Sequence, residues 1–159
     1  MTVLMTAITH NDIPAVESLI QKGANVSELD ANQDAPLVIA AYKGYTEIVK
    51  KLLEAGADIT AVDPGMKATA LHAAAYAGRT EAARLLIAYK IDIDKQGPFN
   101  GFTALHDAIW QNNIETARVL IEAGANLEIK SKDGQTALDL AKARGRKQIV
   151  ALIEQKIKS

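Results

Sequence analysis

The sequence predicts an all-α repeat solenoid, a stack of helix-turn-helix units, because two short motifs recur along the chain in fixed phase. Copies of the first motif, TAL with its variants APL and TVL, begin at residues 2, 35, 69, 103 and 136. Copies of the second, GAN, GAD or KID, begin about 21 residues later, at residues 23, 56, 90 and 124. A constant period of 33 or 34 residues indicates repetition of one structural unit. We therefore expect a single domain over 1–159, with units at approximately 1–29, 30–62, 63–96, 97–130 and 131–159.

Each unit contains two predicted helices. An alanine-rich stretch of about eight residues follows the TAL-type start, as in HAAAYAG, and a short turn ends it. The turn residues are Asn11, Gly44, Gly78, Asn112 and Gly145. A longer stretch such as TEIVKKLLEAG then places its apolar residues on one stripe of a helix; these are Ile48, Val49, Leu52 and Leu53.

The ends of these helices carry capping signals. Asp12 is the expected N-cap of the second helix, and Pro14 falls in its first turn, where a missing N–H costs least. Gly56 and Gly124 suit left-handed C-caps. Acidic residues favoured by the helix dipole open the later long helices; they are Glu47, Glu81 and Glu115. Helices this short are unstable alone, so the units must stack around one continuous core.

The repeated pattern resembles that of the ankyrin-repeat family: T-x-L-H-x-A, a turn glycine, then L-L-x-x-G-A-D. The resemblance covers essentially the whole chain as five units, and APLVIAAYKGYTEIVKKLLEAGADI is the best copy although it lacks the Thr and His. It implies a curved, ankyrin-type stack with short inner helices, longer outer helices and β-turn or hairpin fingers, in which the first and last units act as caps. It also implies that His72 and His106 hydrogen-bond Thr69, Thr103 and nearby backbone.

The third unit departs from this pattern. Lys90 and Ile91 replace Gly-Ala, and a lysine costs roughly 1 kcal/mol against glycine if the backbone there has positive φ. The links on either side of this unit, DITAVDPGMKAT and DIDKQGPFNGFT, each carry one extra residue and contain both Pro and Gly. We predict that the fingers around 63–67 and 97–101 are longer and less regular than the others.

The composition excludes several classes of protein. The net charge of −1 offers no basic field that would attract nucleic acid. The absence of cysteine removes disulfides and thiolate chemistry, and no apolar run approaches the roughly 20 residues that span a bilayer. The start MTVLMTAITHND does not resemble a signal peptide, although a leader removed from the chain stays open. We expect a cytoplasmic monomer that binds no membrane and no nucleic acid.

His106–Asp107 is the one pair that suggests catalysis. At 100° per residue from Leu105, His106 and Asp107 differ by 100° around the helix, so the two side chains do not face each other. A triad also needs a nucleophile within reach, and no Gly-x-Ser-x-Gly elbow is present. We therefore predict that the protein is not an enzyme.

Metal and phosphate sites are also not expected. His72 and His106 lie at equivalent positions of neighbouring helices, about 8–10 Å apart by axis, too far for one zinc ion. KDGQT at 132–136 lacks the lysine of a phosphate loop. The sequence thus predicts no cofactor.

The basic C-terminal residues are interpreted as a solvated cap, with a docking patch for an acidic partner as the alternative; they are Lys142, Arg144, Arg146, Lys147, Lys156 and Lys158.

The inner helices carry a candidate binding surface. The position five residues after each core leucine lies 140° around the helix from it and is aromatic in three consecutive units, as Tyr42, Tyr76 and Trp110. The position at 200° holds Thr6, Ile39, Ala73, Asp107 and Leu140. In an ankyrin-type stack this side lines a concave groove. Further candidate binding residues on this face, in the fingers and at helix ends are Lys43, Met66, Tyr89, Phe99, Phe102, Gln111 and Arg144.

These residues favour a module that binds a protein or an extended peptide on its concave face, since aromatic residues are enriched at interface hot spots. The aromatics could instead pack on one another and stiffen the stack. Two further alternatives are an inhibitor that blocks a partner enzyme by binding, and a receptor for a small cationic ligand caged by the three aromatics. The repeat does not identify the partner.

Overall fold

The computed structural model describes residues 2–159 and contains ten α-helices arranged as five consecutive antiparallel pairs. The short inner helices are α1 (Val3–Thr9), α3 (Pro36–Lys43), α5 (Ala70–Ala77), α7 (Ala104–Trp110) and α9 (Ala137–Ala143). The outer helices are α2 (Ile13–Gln21), α4 (Thr46–Glu54), α6 (Thr80–Ala88), α8 (Ile114–Glu122) and α10 (Lys147–Lys158). Each inner helix packs on the next inner helix, and each outer helix on the next outer helix, which makes the predicted all-α solenoid.

The core runs without interruption between the inner and outer layers. The predicted stripe of α4 is confirmed, because Ile48, Val49, Leu52 and Leu53 are all buried. The inner helices contribute fully buried alanines such as Ala74 and Ala108, whose small side chains let neighbouring inner helices pack closely.

The helix starts follow the capping signals in the sequence. The Asp12 side chain accepts from Ala15 N–H at 3.2 Å, and Pro14 lies in the first turn of α2, as predicted. Thr69 and Thr103 are N-caps of α5 and α7, and each forms a reciprocal capping box with the histidine three residues later. At α9 the same box pairs Thr136 with Asp139.

The two buried histidines also join consecutive units. His72 Nε2 lies 3.0 Å from the Phe102 carbonyl, and His106 Nε2 lies 3.0 Å from the Gln135 carbonyl. A carbonyl only accepts, so Nε2 carries the hydrogen, while Nδ1 faces the threonine hydroxyl at 2.9 Å in α5 and 2.8 Å in α7. Burial lowers the pKa of both imidazoles. Each ring is therefore a neutral linker between a helix start and the following finger.

The two middle fingers are longer than the outer two, as predicted. The backbone hydrogen bond that closes each finger joins Asp30 to Asp34 in the first and Ser131 to Gln135 in the last, but Asp63 to Ala68 and Gly97 to Phe102 in the middle two. Val62 and Thr69 also form an antiparallel bridge at the base of the second finger. The extra residue keeps the closing pair in place and enlarges only the tip.

The backbone at Lys90 has a φ of 67°, a left-handed conformation that glycine adopts in the corresponding turns at Gly56 and Gly124. The side chain of Lys90 is exposed, so it contributes little packing in return. Lys90 is thus a strained position in an otherwise regular turn.

The substitution Lys90→Gly is expected to raise the free energy of unfolding by about 1 kcal/mol, because glycine adopts positive φ without a Cβ clash. Urea denaturation followed by circular dichroism measures this change. Lys50→Gly, at an exposed position inside α4, is the matched control and should lower the stability by about 1 kcal/mol. A lower midpoint for Lys90→Gly would contradict the assignment of strain.

Protonation of His72 and His106 is expected to destabilise the fold. Because burial holds their pKa values below the usual 6.5, the unfolded chain takes up these protons first as the pH falls. Their contribution to stability is complete above pH 6.5 and is lost as the pH falls through the folded pKa values. A His72→Gln/His106→Gln variant should lose less stability than the wild type between about pH 7.5 and pH 5.5 in urea titrations. Equal losses would show that the histidines do not titrate on unfolding.

Candidate functional site

A concave groove of about 710 Å³ runs across the inner helices α3, α5 and α7 and the fingers beside them. The helices contribute Val38, Ile39, Tyr42, Ala73, Tyr76 and Trp110 to its wall, together with Asp107 and His72. The fingers contribute Asp34, Asp63, Met66, Asn100, Phe102 and Asp133. The groove is therefore built by several units and belongs to no single one.

Three aromatic side chains stand in a column along this groove. Tyr42, Tyr76 and Trp110 each occupy the same place near the end of an inner helix, and their exposed fractions are 48%, 48% and 41%. Their angular offset from the core leucines keeps them out of the core, because five residues at 100° per residue turn the side chain away. The column is thus a consequence of the repeat register.

The backbone under each aromatic residue is held by the unit that follows it. Arg79 Nε donates to the Tyr42 carbonyl at 3.0 Å, and Asn113 Nδ2 donates to the Tyr76 carbonyl at 3.0 Å. Arg146 donates from Nη2 to the Trp110 carbonyl at 2.7 Å and from Nε to the Ile109 carbonyl at 3.0 Å. We call these three side chains, each at the N-cap of an outer helix, the carbonyl clamps.

Sequence reasoning missed the carbonyl clamps. Arg79 and Asn113 belong to no motif, and Arg146 stands among the basic C-terminal residues that the sequence predicts as a solvated cap. Their shared signal is the position directly before an outer helix, one unit after an aromatic residue. Glycines leave room for two of them, since a Cβ at Gly44 would lie 2.6 Å from the Arg79 side chain and one at Gly78 would lie 3.1 Å from that of Asn113.

Trp110 lies at the centre of a cluster at the C-terminal end of the groove. The Arg144 guanidinium carbon is 3.8 Å from the centroid of its ring. Phe102, from the finger before α7, packs at a tilt against Trp110 with centroids 5.9 Å apart, and it stacks on His106 at 5.3 Å. One face of the indole is therefore occupied by a cation from the next unit.

Asp107 is half-buried in the groove wall beside this cluster. Burial raises the pKa of its carboxyl group to about 7. Both ring nitrogens of His106 are engaged by Thr103 and Gln135, so the adjacent His and Asp do not form a catalytic pair. Asp107 thus belongs to the groove, and His106 belongs to the scaffold.

Other candidate residues lie in different places. Met66, which is 55% exposed, and Phe102, which is half-buried, both line the groove. The structure does not bring the exposed residues Lys43, Tyr89, Phe99 and Gln111 into the groove wall. Their part in binding remains a prediction.

Leu140, at the 200° position of α9, is predicted to line the groove, and this prediction is wrong. Ile39, Ala73 and Asp107 line the groove at this position, whereas Leu140 is 2% exposed and joins the hydrophobic core. In the last described helix pair Leu138 is only half-buried, and Leu140 joins the core instead, where its apolar side chain is more stable than in water.

No group of three or more metal-ligating side chains is found within residues 2–159. Of the helices in the same residues, none combines the length and the apolar character needed to cross a bilayer.

A family model for ankyrin repeats, containing three copies of the repeat, matches residues 1–63 and 61–131. The chain belongs to the ankyrin-repeat family. Ankyrin-repeat domains generally mediate protein–protein interactions and are typically non-catalytic. The last helix pair of this ankyrin-repeat chain lies beyond the matched residues.

Curated relatives share segments of this ankyrin-repeat chain. A palmitoyltransferase of Candida albicans is 43% identical over 58 residues, which are 36% of this chain and 7% of the relative. A protein of Oryza sativa subsp. japonica named as a probable E3 ubiquitin-protein ligase is 31% identical over 71 residues, 45% of this chain and 16% of the relative. A Rickettsia bellii protein named for its ankyrin repeats is 46% identical over 55 residues, 35% of this chain and 23% of the relative. The matches thus span less than a quarter of each relative's length.

The substitution Asp107→Asn is expected to stabilise the protein more at alkaline than at acidic pH. The folded pKa of about 7 exceeds the usual 3.8, so the stabilising effect of the protonated carboxyl is complete below pH 3.8 and is lost as the pH rises through about 7. Asparagine stays neutral, so the advantage of the variant in urea unfolding should grow by about 2 kcal/mol between roughly pH 5 and pH 8. Asp58→Asn is the control, because hydrogen bonds from Thr60 lower the pKa of Asp58 and keep it ionised throughout this range. An equal effect of Asp107→Asn at both pH values would show that Asp107 is solvated.

Proposed function

We propose that this chain is a non-enzymatic binding module whose concave groove holds a protein segment or extended peptide across α3, α5 and α7. The observation that carries the proposal is the column of Tyr42, Tyr76 and Trp110, half-exposed and lining one groove. Aromatic side chains offer large contact areas with few rotatable bonds, and they are enriched among residues that dominate binding energy.

The rigidity of the groove supports this function. The carbonyl clamps fix the backbone under each aromatic residue, and the inner helices below them are packed through buried alanines. A surface that is already ordered loses little conformational entropy when it binds. The stack therefore presents a preformed surface.

The size of the groove fits a short extended segment. Neighbouring helices pack about 8–10 Å apart, so α3 and α7 are separated by about 20 Å. An extended chain rises about 3.3 Å per residue, so about six residues would cross the three helices. In this proposal the chain acts as a monomer and binds neither nucleic acid nor membrane. An inhibitor of a partner enzyme would use the same groove.

The test uses a phage-displayed library of random peptides of about 12 residues, selected on the wild-type protein. The affinity of selected peptides is then measured by fluorescence anisotropy. Trp110→Ala should weaken binding by about 2 kcal/mol or more, roughly 30-fold in Kd, while the circular dichroism spectrum and melting temperature show an intact fold. A Tyr42→Ala/Tyr76→Ala/Trp110→Ala variant should abolish measurable binding.

Tyr89→Ala and Phe99→Ala are the comparison variants, since these aromatic residues are similarly exposed but lie outside the groove wall. We expect each to lose less affinity than Trp110→Ala. The proposal fails if wild type and Trp110→Ala bind every selected peptide equally well.

A further inference from the structure

The groove concentrates negative charge in a chain whose net charge is only −1. Asp34, Asp63, Asp107 and Asp133 all line it, and the Asp107 carboxyl is ionised above its pKa of about 7. No lysine or arginine occurs among its lining residues, as far as residues 2–159 are concerned, and the lining His72 is a buried imidazole with both ring nitrogens engaged. The groove wall beside Tyr42 and Tyr76 is therefore acidic, whereas the Arg144 guanidinium lies over Trp110 at the C-terminal end of the column.

None of these four carboxylates forms an ion pair with a lysine or arginine within residues 2–159. The ion pairs found within residues 2–159 are Lys51–Glu17, Arg84–Glu81 and Arg118–Glu115, all on the outer helices. Burial raises the pKa of the Asp34 carboxyl group, and the like charges of Asp30 and Asp63 add to this effect. The groove thus keeps a repulsion that a cation from outside would relieve.

The aromatic column is suited to the same kind of partner. Arg144 already places its guanidinium 3.8 Å from the centroid of Trp110, which shows that the ring accepts a cation on one face. Tyr42 and Tyr76 offer half-exposed rings along the same wall, and Met66 adds an apolar surface. The long aliphatic stems of lysine and arginine can pack on such surfaces while their charged ends reach a carboxylate.

We propose that the groove binds a basic extended segment of a partner protein, with a lysine or arginine of that segment placed against Asp107. The proposal rests on the proposed function and adds the chemistry of the partner. Asp107 is half-buried in the groove wall on α7, three residues before Trp110, whereas Asp133 lies exposed on the finger. An anionic partner such as a nucleic-acid backbone would be repelled by the same field.

The experiment begins with the peptides selected on the wild-type protein, whose lysine and arginine content is compared with that of the unselected library. For the tightest peptide, each basic residue is replaced in turn by glutamine. Both peptide forms are titrated at pH 8, where the Asp107 carboxyl is ionised, against the wild type, Asp107→Asn and Glu122→Gln. Glu122→Gln is the matched control, since it removes the same charge from the exposed face of α8, away from the groove.

We expect the selected peptides to be enriched in lysine and arginine, and Asp107→Asn to weaken the parent peptide about 10-fold while Glu122→Gln leaves its Kd unchanged. For the peptide in which the residue that contacts Asp107 is replaced by glutamine, Asp107→Asn should cause no further loss of affinity, because the ion pair is already absent. Binding of the parent peptide should also weaken between about 50 and 200 mM salt.

Selected peptides without basic enrichment, or with no coupling to Asp107, would overturn this inference. If those peptides still lost affinity with Trp110→Ala, the proposed function would stand; if none depended on Trp110, both would fail. Concentration-dependent self-association in sedimentation velocity that is abolished by Asp107→Asn would instead assign the groove to the basic C-terminal residues of a second copy, and so overturn the proposal of a partner segment.

Discussion

Every unit of this chain is too small to bury its own apolar surface, and the rest of the structure depends on contact between consecutive units. Helices of seven to nine residues, such as α1 and α4, are unstable alone. They persist because buried alanines let each inner helix pack closely on the next. Hydrogen bonds also join consecutive units: His72 donates to the Phe102 carbonyl of the next finger, and Arg79 donates to the Tyr42 carbonyl of the preceding unit. Stability is therefore shared between neighbouring units.

The groove is a product of this contact. Side chains on one face of each inner helix are buried in the core. Side chains on the opposite face lie outside the core and line the groove. Tyr42, Tyr76 and Trp110 lie on this groove face, and they are half-exposed although the chain has only seven aromatic residues. Asp107 lies on the same groove face, where partial burial raises the pKa of its carboxyl group to about 7. The scaffold residue His106 and the groove residue Asp107 are adjacent in sequence but belong to different surfaces.

The sequence predicts the parts of the structure that repeat. The period fixes the helix pairs, the offset from the core leucines places the aromatic column on one face, and the extra residue in each middle link produces a longer finger. The parts that join different units were not predicted. Arg79, Asn113 and Arg146 are different residue types with no common motif, and they act on carbonyls 36 to 38 residues earlier. Leu140 was not predicted either, because its angular position places it on the groove side although it is buried in the core.

The carbonyl clamps have a consequence for how such a chain can change during evolution. A Cβ at residue 44 would lie 2.6 Å from the Arg79 side chain as it stands, and a Cβ at residue 78 would lie 3.1 Å from that of Asn113. The choice of residue in one unit therefore restricts the choice in the next. The third clamp shows that the pairing can vary, because Asn112 stands at the equivalent turn and Arg146 still reaches the Trp110 carbonyl. Exchanging one unit would therefore bring a clamp against a different turn residue, and a substitution at one of these paired positions should favour a compensating substitution about 35 residues away.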